Sequence, residues 1–312
     1  MVRGRSERLE TGRGKLPPRL SRFTHFAAID WSGAAGERHK GIAVAICAAG
    51  RDAPQIVRPG HRWSRDEVLH WLLHEMPSGT LVGLDLGISL PFADCGAFFP
   101  GWADSPADAK ALWAMVDEMC REDPHLAASS FVDHLEASRY FRRHGGREGA
   151  QFHAAGAAHR RGRFRVTELA QAAMGCKPYS NFNLVGAAQV GKSSLTGMRV
   201  LHRLAGKLPV WPVDPLPAEG SVVVEIYTAI AAMAGGRAPG RSKMNSYAEL
   251  NDALAALGSA PVSGTGPIDD HSADALLTAA WLRKVAQRAE LWHPAGLTSE
   301  IAQTEGWTFG AS

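Results

Sequence analysis

The sequence is poor in cysteine: Cys47, Cys95, Cys120 and Cys176 lie far apart and form no CxxC pair. That excludes zinc-site spacing and a disulfide scaffold, so a reducing cytoplasm is the expected location. No apolar run is long enough to cross a bilayer, and no membrane partner is expected. Residues 1–22 lack the apolar stretch of a secretory signal; with their arginines, glycines, Pro17 and Pro18 they read as a disordered basic tail. Net charge is small, +3 over 312 residues, which alone gives a polyanion little to attract it. Acids are scarcest in one segment. Arg139, Arg142, Arg143, Arg147, Arg160, Arg161, Arg163 and Arg165 are accompanied there by a single acid, Glu148. Such a cluster can neutralise phosphates, and a nucleic-acid partner is expected on that ground. A merely solvated arginine-rich surface would have the same composition.

What is present suits an α/β core. Apolar residues make up 45% and charged residues 21%, and the length allows one large domain. Residues 26–30 (FAAID) read as a buried strand ending in a carboxylate, 41–47 as a second strand and 55–58 as a weaker third. Ser64 and Glu67 form a capping box for a helix through Met76. Residues 80–85 (TLVGLD) are again a strand ending in an acid. Ser105-Pro106 is expected to start a helix, and 221–227 to be a strand. Ser246 caps a further helix ending near Gly258. A last helix begins at Asp270, with Leu276, Leu277, Ala280 and Trp281 on one buried face. The expected organisation is a tail over 1–22, a domain over 23–288 with a mostly helical insertion at about 93–181, and a packed extension over 289–312.

The acids have a pattern. Hard divalent cations need several oxygen ligands, and such ions can activate water against a phosphodiester. Asp30 and Asp85 end two strands; in neighbouring parallel strands both would stand on one rim. Asp270, His271 and Asp274 lie on one face of a helix start. Each acid alone could be a turn residue or a partner of the helix dipole. The three aspartates in this order favour a metal site for Mg²⁺ or Mn²⁺.

At these residues the chain resembles a known group. FAAIDWSG, LVGLDLGISLP, VVVEIYT and DDHSADALLTAAWL, with the closing EGW at 305–307, look like the landmarks of the domain-of-unknown-function family numbered 429. That family is described as predicted nucleases of ribonuclease H-like fold. HSADAL is also similar to the last helix of RuvC-type junction resolvases. The resemblance implies a ribonuclease H-like mixed sheet flanked by helices, and a metal-dependent nuclease. It implies Asp30, Asp85, His271 and Asp274 as catalytic metal ligands and matches Glu225 to the family's strand glutamate, a possible site residue; Asp270 is a further possible one by its place on the helix face. RuvC-type enzymes have a glutamate where this chain has Asp85.

A competing motif is GAAQVGKS at 186–193, which fits the phosphate loop of P-loop nucleotidases. There Gly186 and Gly191 would shape the loop, Lys192 would offset phosphate charge and Ser193 would bind Mg²⁺. Residues 181–185 would be its strand, although Gly197 falls early in the helix that should follow. An actin-like ATPase, which shares the core in duplicate, and a non-catalytic nucleic-acid binder complete the alternatives. His70 and His74 read as surface histidines, Cys95 has no partner base, and Phe92, Phe98, Phe99 and Trp102 read as core.

Overall fold

A strand whose successive residues are all apolar needs cover on both faces. In the computed structural model, which describes residues 22–153, 162–186 and 189–312, β1 (His25–Asp30) receives that cover at the centre of a six-stranded sheet. Ala27 and Ile29 enter one apolar cluster, Phe26 and Ala28 another. β2 (Ala43–Ala48) pairs antiparallel with β1, and β3 (Gln55–Ile56) antiparallel with β2. α1 (Arg65–His70) then runs into one π turn, Trp71–Glu75, and returns the chain to β4 (Thr80–Asp85), parallel to β1. The capping box is formed: Glu67 N–H donates to Ser64 Oγ at 3.1 Å, and Ser64 N–H to Glu67 Oε2 at 2.9 Å.

The middle of the chain holds α2 (Ala109–Met119), α3 (Ser129–Asp133), the two-residue strands β5 (Arg142–Arg143) and β6 (Arg147–Glu148), and α4 (Val166–Ala173). α2 does not start at Ser105-Pro106. Asp108 caps it, accepting the Ala111 N–H at 2.8 Å, and Pro106 lies in irregular chain before it. Phe98 and Phe99 are core residues here, within a ring cluster that includes Tyr140, Phe141 and Phe182.

α5 (Val190–Arg203) follows, then β7 (Val210–Trp211) and β8 (Val222–Glu225), which complete the order β3-β2-β1-β4-β8-β7. β1, β4, β8 and β7 are mutually parallel, so the fold is α/β with a mostly parallel sheet. Gly197 sits inside α5 for a packing reason: a Cβ there would come within 2.4 Å of Leu86 Cδ2, so glycine lets the helix lie on the chain after β4. α1, α2 and α5 contribute to the cluster on this face.

The opposite face is covered by α6 (Thr228–Ala234), α7 (Tyr247–Ala256) and α8 (Asp270–Val285). Ser246 caps α7 as expected, accepting the Glu249 N–H at 3.2 Å. α8 departs from the single buried face expected of it, because Ala273–Leu282 are buried without interruption. One side lies on β1 and β2; α6, α7 and the C-terminal residues close the rest. α9 (Ala289–Trp292) and α10 (Ser299–Thr304) lead to that C-terminal segment, where Phe309 lies against Trp281 and Trp292.

Candidate active site at the sheet rim

The register of β1 and β4 pairs Asp30 with Asp85. Both strands end at these residues, so two carboxylates share the C-terminal rim of the sheet, where open α/β sheets present ligand groups. α8 packs on β1 and β2 and brings its first turn to the same rim. Asp269 caps it by accepting the Ser272 N–H at 2.9 Å. His271 Nδ1 then lies 2.6 Å from Asp30 Oδ2. That hydrogen bond raises the imidazole pKa against the opposing effect of burial. Asp274, three residues on, is buried.

The carboxylates crowd one another. Asp85 keeps partial exposure to the cleft, yet enough protein surrounds its carboxyl that burial pushes its pKa well above the ordinary value. The charges of Asp30 and Asp274 push it further, while the Thr228 N–H and Lys243 pull it back. Burial likewise raises Asp274, to about 6, against the pull of Lys243.

Lys243 is the residue that sequence reasoning missed. It lies in irregular chain between α6 and α7, with no periodicity or motif to single it out. Its Nζ donates to Asp274 Oδ2 at 2.9 Å and lies 3.5 Å from Asp270. Burial disfavours its charge, but Asp274, then Asp270 and Asp30, outweigh that and raise its pKa. Together with Asp85, Asp274, Trp31, Ser32 and Tyr179 it lines a cleft of about 570 Å³.

Glu225 stands beside this group, in register with Leu84, but its carboxylate is engaged elsewhere. It accepts Arg165 at 2.6 and 2.8 Å, the Ile88 N–H at 2.8 Å and the Thr308 hydroxyl. It ties β8 to α4, to the chain after Asp85 and to the C-terminal segment.

The expected phosphate-binding arginines fare differently from one another. Arg165 is buried, and all five of its N–H groups are spent on Glu168, Glu225 and the Glu305 carbonyl, so none remains for a phosphate. Burial disfavours its charge, but Glu168 and Glu225 more than offset this and raise its pKa. Arg163 is buried on Asp94 and the carbonyls of Pro91, Ala97 and Phe98. Both are corrections: these arginines hold the interior together. Arg142 and Arg143 are half-buried near Glu148 and Asp133. Arg160 and Arg161 lie outside the described residues.

The 186–193 stretch does not have the surroundings of a phosphate loop. Residues 181–185 join no strand of the main sheet; Asn183 makes only an isolated bridge to Arg142. The Gly191 N–H donates to the Asn183 carbonyl and the Lys192 N–H to the Gln189 carbonyl, both at 3.0 Å, using donors that a phosphate would need. Lys192 Nζ lies 3.2 Å from His144 Nε2. A Cβ on Gly33 would come within 2.5 Å of the Ser193 nitrogen, so the chain after Asp30 presses directly on this turn. Gly186 has the left-handed φ of 86° that glycine favours, and residues 187 and 188 lie outside the described residues. A duplicated core of the actin type is absent among the described residues.

Among the described residues, no group of three or more His, Cys, Asp or Glu side chains is already set around one metal position. The donor types nevertheless fit a hard divalent ion: three carboxylates at one rim, beside an imidazole. Lys243 supplies the positive charge that Asp274 now holds. No protein-family model, curated protein or solved structure matches the chain.

Proposed function

We propose that the chain is a divalent-metal-dependent nuclease of ribonuclease H-like fold that hydrolyses phosphodiester bonds of nucleic acid. The observation that carries this reading is the pairing of Asp30 with Asp85 on adjacent parallel strands, with Asp274 near enough to raise the Asp85 pKa. The sheet order, with antiparallel β1–β3 beside parallel β1, β4 and β8, supports the fold. Asp30, Asp85 and Asp274 would hold Mg²⁺ or Mn²⁺, with His271 beside them. A bound ion would supply a water nucleophilic at neutral pH and charge to stabilise the leaving oxygen. His271, fixed by Asp30, holds a proton next to the acids, and Lys243 holds the Asp274 carboxylate until an ion takes it.

The test is cleavage of labelled DNA, RNA and hybrid duplexes with Mg²⁺ or Mn²⁺. Wild type should cleave at least one of them, and Asp30→Asn should reduce cleavage to background while the fold is retained. Lys192→Ala should change cleavage by only a few fold, and wild type should bind no ATP. Tight ATP binding that vanishes in Lys192→Ala, with no cleavage of any substrate, contradicts the reading.

A further inference from the structure

A second recess, of about 420 Å³, is lined in part by His271, the hydrogen-bond partner of Asp30. It is formed along β2 and β3 by Lys40, Arg58, His61 and Arg62, and meets the start of α8 at Asp269 and His271. His271 links the groove to the acids: it lines the groove and bonds to Asp30. The approach is close, since a Cβ on Gly41 would lie 3.3 Å from His271 Cε1.

The cations of this groove are differently engaged. Arg58 is held by both oxygens of Glu75, at 2.7 and 2.8 Å, and lies over the Trp63 ring. His61 is 3.1 Å from Glu67. Lys40 and Arg62 are exposed and form no ion pair among the described residues. The groove's acid, Asp269, is committed to the cap of α8. Two exposed cations without an ion pair among the described residues therefore flank a groove that His271 joins to Asp30, while the arginines expected to serve phosphate at 163 and 165 are buried.

Resting on the nuclease reading, we infer that this groove is where the sugar–phosphate backbone of the nucleic acid docks, with Lys40 and Arg62 each contacting a phosphate. A strand lying there leads its next phosphodiester past His271 to the acids. Because the contacts are to the backbone, they set position and affinity and carry no base sequence.

The experiment is fluorescence anisotropy with a labelled duplex DNA and a labelled DNA–RNA hybrid in EDTA, from 50 to 200 mM salt. It uses wild type, Lys40→Ala/Arg62→Ala and Arg142→Ala/Arg143→Ala, with cleavage measured separately in Mg²⁺ and Mn²⁺. Each lost phosphate contact flattens the plot of log affinity against log salt by about 0.9 on duplex DNA, so the groove variant should lose about 1.8 from its slope. Loss of slope in the Arg142/Arg143 variant alone, or an unchanged slope in the groove variant, overturns the inference. Cleavage by wild type with an unchanged groove slope removes the groove and leaves the nuclease. Groove-dependent binding with no cleavage removes the nuclease and leaves the docking surface. Absence of binding to either probe overturns both.

Discussion

The cleft beside Asp85 and Asp274 and the groove lined by His271 use charge in opposite ways. In the cleft, the acids Asp85, Asp274, Glu168 and Glu225 face Lys243 and Arg165, and most of those charges are tied to one another. In the groove, Lys40 and Arg62 form no ion pair among the described residues, and the acid there, Asp269, caps α8. Proximity in sequence misplaced two of the expected phosphate-binding arginines: Arg163 and Arg165 are spent on the interior, whereas Lys40 and Arg62 are exposed. An ion pair taken out of water must be well paired, so a buried arginine has already committed its donors. Only an unpaired, exposed cation can exchange its counterions for a phosphate.

The largest effect should come from breaking the internal side of this contrast. Arg165→Ala leaves Glu168 and Glu225 as buried charges without their partner, and removing one member of such a group typically costs about 3–5 kcal/mol. Chemical denaturation should show a loss of that size, whereas Lys40→Ala should change stability by less than about 0.5 kcal/mol. Equal losses in the two variants would erase the distinction.

A smaller effect is expected at Lys243, whose ammonium holds the carboxylate a divalent ion would use. Lys243→Ala removes that competitor, and calorimetric titration should show Mn²⁺ binding about tenfold tighter, equivalent to ~1.4 kcal/mol. Unchanged or weaker Mn²⁺ binding would make Lys243 an ordinary structural partner.

The smallest effect concerns the crowded acids themselves. Asp85 and Asp274 have raised pKa values in the folded protein, so it retains protons that the unfolded chain releases as pH rises from about 3.9. Their contribution to metal-free stability therefore falls as pH rises from there, Asp274 through its value of about 6. Asp85→Asn should be more stable than wild type at pH 7.5 without metal, by about 2 °C in Tm for each kcal/mol recovered. The advantage should shrink towards pH 4. A variant less stable than wild type at pH 7.5 would show that the Asp85 charge is well compensated.

Local signals were readable from the sequence because their physics is local. β1 and β4 announce themselves as short apolar runs ending in acids, and the Ser64 and Ser246 caps need only a residue three positions on. Asp30, Asp85, His271 and Asp274 could be placed together because strand ends and one helix turn fix where side chains stand. Other features depend on partners distant in sequence. The burial of Arg165 requires Glu225, sixty residues away, and the burial of Arg163 requires Asp94. α8 looked one-sided because its outer surface is closed by α6, α7 and the C-terminal segment, whose packing on it no local pattern reveals. Lys243 sits in irregular chain, where no period constrains the direction of a side chain. The Ser105-Pro106 start failed to a nearer competitor, the Asp108 cap.

The most direct test of the central claim is a crystal structure grown with Mn²⁺. The account predicts one or more ions at the rim, bound by Asp30, Asp85 and Asp274, with Lys243 Nζ no longer hydrogen-bonded to Asp274. A structure at saturating Mn²⁺ with no ion at these carboxylates, and Lys243 still on Asp274, would contradict it.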